Sequence, residues 1–173
     1  WMAADKVDAG RVAIRRAVGR WERAGFYDPH LWQMIADVRF DLYEGKTTAA
    51  WTGIEGRWPS LVRSRLLVGQ FRRIHAYAAR GSAAVAAAGV LQARDPHARK
   101  LVSIAKDAAR RLRKEAMAWS LPQAELLEAA IAQLQSDKER ASHLLASAAA
   151  HFDAADMTLH AAVPIKWNGF LSN

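Results

Sequence analysis

Apolar residues recur along this chain at intervals of three, four and seven, the spacing of one face of an α-helix. No long segment alternates apolar and polar residues with period two, as a half-buried β-strand would. In residues 6–24, Val7, Ile14, Val18 and Trp21 follow the helical spacing as far as Gly25. Alanine is abundant and β-branched residues are sparse, which also favours helices. We therefore expect helices throughout, and the helix breaks define the architecture.

The first half of the chain predicts three further helices. Asp28 is the expected N-cap of a helix over residues 28–44, with Pro29 at its first position and Gly45 closing it. A third helix is predicted over 47–57, ended by Pro59. The fourth is expected to begin near residue 60 or 64 and to run through residue 88. Gly81 lies inside it and allows a kink or break.

The second half of the chain predicts four more helices. Asp95 and Pro96 repeat the signal of a cap followed by proline and open a helix that reaches about residue 116. A sixth follows Ser120, with its core-facing residues expected at 126, 130 and 134, and a seventh spans 138–154. The eighth starts near Asp156 and is expected to be interrupted by Pro164.

Eight helices with short connections predict one all-α domain over residues 1–173, a stack of antiparallel helical hairpins in a right-handed, tetratricopeptide-like array. A faint internal repeat supports the stack. The turn after Tyr43 and the turn after Leu134, 91 residues apart, are each followed by an alanine and two apolar or small residues at four-residue spacing. The abrupt start at Trp1 suggests a segment of a longer protein.

Composition narrows the class of protein. The 173 residues include no cysteine, which excludes disulfides and thiolate metal sites. No run of 18 apolar residues occurs, and the first residues lack the order of a signal peptide. We therefore expect a cytoplasmic protein without a membrane partner.

The net charge of +8 is unevenly distributed. Residues 57–114 contain fourteen Lys or Arg and only two acids, Asp95 and Asp107. This basic middle is either an ordinary solvated surface or a groove that binds an acidic or phosphorylated protein segment. A nucleic-acid-associated regulator is the alternative from another class, although no recognised reader motif accompanies the charge. The residues expected to face one another across such a groove are Arg73, Arg80, Arg99, Lys106, Arg110 and Arg113.

The sequence gives little support for a catalytic site or a metal site. His143 and His151, or Asp153, Asp156 and His160, have spacings that a metal could use, but Asp156 serves equally well as an N-cap. No nucleophile elbow surrounds any serine. We expect no catalytic residue, no metal and no cofactor.

The seven tryptophans allow two interpretations. Five of them fall on or beside the apolar stripes, which favours packing between hairpins. The other interpretation is a partly exposed aromatic lining in a groove, which would anchor a peptide. The five residues are Trp21, Trp32, Trp51, Trp58 and Trp119.

Several packing motifs resemble a known family. They are DLYEG at 41–45, AW at 50–51, RWPSLVRS at 57–64, LLVGQFRRI at 66–74, EAMAW at 115–119 and FDAADM at 152–157. Residues 28–162 resemble the C-terminal helical-repeat region of large bacterial serine/threonine protein kinases, whereas 163–173 depart from its usual ending. The resemblance implies a tetratricopeptide-like module for sensing or partner docking, downstream of a kinase domain. The glycine-rich, His-Arg-Asp and Asp-Phe-Gly motifs of a kinase are absent from the sequence, so no nucleotide chemistry is carried over.

Overall fold

A computed structural model describes residues 2–19, 21 and 25–171 of the chain. Within these residues it is all-helical, with eight α-helices and no β-strand. The helices are α1 (Val7–Val18), α2 (Asp28–Tyr43), α3 (Thr47–Arg63), α4 (Gln70–Gly89), α5 (Pro96–Lys114), α6 (Ser120–Leu134), α7 (Lys138–Ala154) and α8 (Thr158–Leu171). Single 3₁₀ turns, Met2–Ala4 and Leu66–Val68, precede α1 and α4.

Each helix packs against the next one in sequence, as the hairpin prediction requires. Two further contacts, α2 with α4 and α4 with α6, join helices two places apart. The helices α2, α4 and α6 therefore lie next to one another along one side of the array. This confirms the all-α array of neighbouring helices.

The hairpin turns repeat one hydrogen-bonding pattern. At the ends of α2, α6 and α7 a residue with positive φ is followed by a backbone N–H that donates to the carbonyl five residues back. The positive φ belongs to Gly45 at the first turn and to Ser136 and Asp156 at the others. This Schellman geometry satisfies helix-end carbonyls and reverses the chain. The turns after Tyr43 and Leu134, which the sequence repeat paired, thus have the same structure.

Small residues set the distance between the central helices. Nine residues of α4 are buried, among them six alanines. A Cβ atom built on Gly81 would lie 2.5 Å from Leu127 Cδ1 and 3.0 Å from Ala108 Cβ. Gly81 therefore sits where α4 meets both α5 and α6, and α4 is continuous there, without the break that glycine allows.

The two prolines expected to end helices lie inside them. Pro59 is within α3 and Pro164 within α8. Pro59 is exposed, so the carbonyl that loses its donor can bond to water, and buried Trp58 and Leu61 hold the helix on either side. Pro164 is buried and belongs to the packed face of α8. Tertiary packing outweighs the proline signal at both sites.

Helix starts agree with the sequence only in part. Asp95 caps α5 as predicted, accepting a hydrogen bond from the His97 backbone N–H at 2.7 Å. At α2 the cap lies one residue earlier, at Tyr27, whose backbone N–H donates to His30 Nδ1. Asp28 is instead the first helical residue and binds Arg72. The fourth helix begins only at Gln70, because α3 continues to Arg63.

Candidate functional site

The even-numbered helices enclose a groove of about 770 Å³, which we call the inner groove. Most of its lining comes from α2, α4, α6 and α8, and Phe152 of α7 adds to it, so the stacking of the hairpins creates the groove. Its lining comprises Val38, Arg39, Leu42, Phe71, His75, Ala78, Ala79, Ser82, Val85, Trp119, Gln123, Leu126, Leu127, Ala130, Phe152, Met157, His160, Val163 and Trp167.

Helical periodicity explains why one face of each helix reaches the groove. On α4, Phe71, His75, Ala78 and Ser82 follow steps of four and three residues. The opposite face of α4 packs against α3 and α5. On α6, residues 126 and 130, expected in the core, line the groove and are only partly buried. Because these two apolar residues are only partly buried, they line a groove and are not part of the core.

Four rings form a cluster at one part of the inner groove, of which Phe71, His75 and Trp119 line the groove and Trp32 packs beside them. His75 lies at its centre, with its ring centroid 4.6 Å from that of Phe71, 5.2 Å from Trp119 and 5.4 Å from Trp32. Phe71 is 58% exposed and Trp32 is 37% exposed. These rings therefore provide a large apolar surface that solvent can reach, which suits the anchor side chain of a partner.

The permanent charge in the lining of the inner groove comes from one arginine, among the described residues. Among the described residues that line it, Arg39 carries a permanent positive charge and none is an Asp or Glu. Burial lowers the pKa of His75 from 6.5, and the nearby charge of Arg39 lowers it further. Around neutral pH His75 is therefore neutral, and Arg39 supplies the positive charge.

The tryptophans divide between the two interpretations. Trp51 and Trp58 are buried between hairpins, as core packing predicts. Trp119 lines the inner groove, as the other interpretation describes, and Trp32 packs against the rings of Phe71 and His75 without lining the groove itself. Trp21 is exposed and lies outside the groove.

The first two predicted binding residues are held in ion pairs away from the inner groove. The Arg73 guanidinium binds both carboxylate oxygens of Glu115. Arg80 binds Glu55 at 2.8 Å, and its guanidinium lies 4.3 Å above the ring of Trp58. Both arginines thus connect α4 to other parts of the array.

The other four predicted residues lie along α5. Within the described residues none of them shares a pocket or an ion pair with Arg73 or Arg80, so the structure does not bring the six together in one groove. Arg113 binds Glu128 of α6 at 2.6 Å, and Arg110 binds Asp107 of α5 at 2.7 Å. Arg99 and Lys106 are exposed and line a pocket against the end of α6. These α5 residues lie towards α6, whereas Arg80 is directed at α3 and Arg73 is occupied by the residue that follows α5.

The histidines with metal-like spacing do not assemble a site. Among the described residues, no group of three His, Cys, Asp or Glu side chains could hold a metal ion. His151 instead pairs with the buried carboxylate of Glu125 at 2.9 Å. Ser147 also donates to Glu125, at 2.9 Å. These two bonds satisfy a carboxylate that lies between α6 and α7.

In the part of the chain that the structure describes, no helix is both long and apolar enough to cross a membrane. Comparison with protein-family models, with curated proteins and with solved structures finds no match for this chain. The resemblance to kinase C-terminal regions thus stays a prediction.

Proposed function

We propose that this helical array is a non-catalytic interaction module that binds a peptide segment of a protein partner in the inner groove. The observation that carries the proposal is the solvent-accessible ring cluster of Trp32, Phe71, His75 and Trp119. Interfaces draw most of their binding energy from a few aromatic anchors in such pockets. The groove volume falls in the range that ligand sites in proteins have.

The lining also defines the chemistry of the partner. Apolar side chains of α4, α6 and α8 fit large apolar residues of a peptide, and Arg39 fits an acidic one. None of the lining residues that the structure describes is Asp or Glu, so no carboxylate of the lining repels acidic groups on the peptide. The proposed partner segment is therefore apolar and acidic.

Selection from a library of random displayed peptides tests this proposal. We expect the chain to enrich peptides that combine aromatic or aliphatic residues with Asp or Glu. Phe71→Asp should abolish their binding, because it places an unpaired charge in the ring cluster. The fold should tolerate this change, because Phe71 is already exposed. Val68→Asp is the matched control, since Val68 is 78% exposed and lies outside the groove.

Two results would contradict the proposal. Either no peptide is enriched on the folded chain, or the enriched peptides bind wild type and Phe71→Asp equally well. An Arg39→Gln variant separates the two parts of the partner chemistry. It should weaken acidic peptides and leave the neutral apolar ones unchanged.

We further propose, from the resemblance of residues 28–162, that the module serves a bacterial serine/threonine kinase in the cytoplasm. The supporting observation is the set of packing motifs at 41–74, 115–119 and 152–157. The complete open reading frame tests it directly: a kinase domain upstream of this segment is expected. A frame without one would refute the kinase connection and leave the groove proposal standing.

A further inference from the structure

A second groove lies on the other side of α6 from the inner groove. It has a volume of about 560 Å³ and is formed by α5, α6 and the start of α7, and we call it the outer groove. The outer groove is lined by residues 128 and 131 of α6 and by residue 135 at the end of that helix. The inner groove is lined by residues 123, 126 and 130 of α6. The two grooves therefore use separate faces of the same helix.

Positive charge dominates the outer groove. Five of its lining side chains are Lys or Arg, and among the described residues the single carboxylate is Glu128. The charged residues of the lining are Lys106, Arg110, Arg113, Lys114, Arg140 and Glu128.

Ion pairs neutralise only part of this charge. Glu128 binds the Nε and one terminal nitrogen of Arg113, at 2.8 and 2.6 Å, which fixes that guanidinium in place. The other terminal nitrogen of Arg113 makes no hydrogen bond to any residue that the structure describes, so it can donate to a ligand. Arg110 shares Asp107 with Arg111. No ion pair involves Lys106, Lys114 or Arg140 within the described part of the chain.

The arrangement favours a compact anion over a nucleic acid. Single-stranded nucleic acids bind to grooves in which aromatic rings stack on the bases, and none of the described residues lining the outer groove is aromatic. A concave site with several arginines and lysines matches the three acceptor oxygens of a phosphate group. The apolar floor at Ala109 and Ile131 suits the neighbouring side chains of a peptide.

We propose that the outer groove binds a phosphorylated segment of a protein, with the phosphate held by Lys106, Arg110 and Arg140. This site is separate from the inner groove and does not depend on the function proposed for it. The module then has two binding surfaces of different chemistry, one for an apolar acidic segment and one for a phosphorylated segment.

A pair of peptide libraries on beads tests the inference. One carries a fixed phosphoserine among random residues, and the other carries serine at that position. The fluorescently labelled full chain should stain beads of the phosphoserine library and not those of the serine library. In solution, a peptide identified in this way should lose roughly tenfold or more in affinity with Lys106→Glu plus Arg140→Glu, as expected when charge-assisted hydrogen bonds are lost.

The control pair is Arg94→Glu plus Lys100→Glu, which changes the net charge equally on exposed residues that do not line the outer groove. Binding of the peptide should be unchanged by this pair and by Phe71→Asp. Equal staining of the two libraries, or equal loss with the control pair, would overturn the proposal. Tighter binding of labelled RNA or duplex DNA, lost in the groove pair, would also overturn it by identifying a nucleic acid as the occupant.

Discussion

The close packing at Gly81 makes a quantitative prediction about alanine substitution. Replacing glycine by alanine inside a helix normally stabilises it by about 1 kcal/mol, because alanine loses less backbone entropy on folding. At Gly81 the added methyl would lie 2.5 Å from Leu127 Cδ1 and 3.0 Å from Ala108 Cβ. Leu127 is buried, so its side chain must change conformation, and Ala108 has no side-chain torsion to adjust, so α5 must shift slightly from α4.

The expected magnitude follows from these two opposing effects. Inserting a methyl into a filled core costs about 1–3 kcal/mol. After the gain in helix propensity, Gly81→Ala should lower the free energy of unfolding by about 0–2 kcal/mol. Gly56 is the matched control, since it lies inside α3 and a Cβ added there would have no neighbouring atom within 4 Å. Gly56→Ala should therefore be stabilising by up to about 1 kcal/mol.

Urea unfolding followed by circular dichroism measures both variants, and the difference between them isolates the packing cost. We expect that difference to be about 1–3 kcal/mol. A shorter side chain at the contact, in Leu127→Ala, should cost less in the Gly81→Ala background than in wild type. If Gly81→Ala stabilised the chain as much as Gly56→Ala does, the close approach of α4 to α5 and α6 would be refuted.

Two further substitutions test the proline inside α3, which the sequence analysis expected to end the helix, and the burial of His75, which the sequence could not reveal. Pro59→Ala should raise the free energy of unfolding by about 1–3 kcal/mol in a urea titration, because it restores a helix hydrogen bond, whereas Pro29→Ala in the first turn of α2 should change it little. Because the folded-state pKa of His75 lies below 6.5, the stability linked to its neutral form is present above that pH and is lost as the pH falls below it. His75→Gln should thus reduce the loss of stability between about pH 7.5 and 5 in thermal unfolding, and the exposed His143→Gln should not. An unchanged pH dependence in His75→Gln would contradict the burial of that ring.

The sequence predicts the helices well where short-range signals determine the helix ends. The cap at Asp95, the glycine turn at Gly45 and the bounds of α7 follow from short-range signals, and all three are confirmed. Pro59 and Pro164 are misleading because both helices continue through the proline, although Pro59 is exposed and Pro164 is buried. Packing against other helices holds them together there, and no local signal contains that packing.

The candidate sites are harder to predict, for a related reason. Phe71 and residue 126 have the spacing of core residues, and only the stacking of α2, α4, α6 and α8 makes their face a groove. The partners of Arg73 and Arg80 are distant in sequence: Glu115 is 42 residues from Arg73 and Glu55 is 25 from Arg80. Charge density along the chain therefore identifies α5 as a basic helix but not the direction in which its side chains point.

The pattern of contacts between helices has a consequence for cooperativity. The extensive contacts of each helix are with helices one or two places away, so the folding free energy approximates a sum along a line of coupled segments. The helix α4 has the most couplings, to α2, α3, α5 and α6, whereas α1 contacts α2 alone to a comparable extent. Loss of α1 would only shorten the line. Loss of α4 would divide it in two, and neither half would retain the ring cluster.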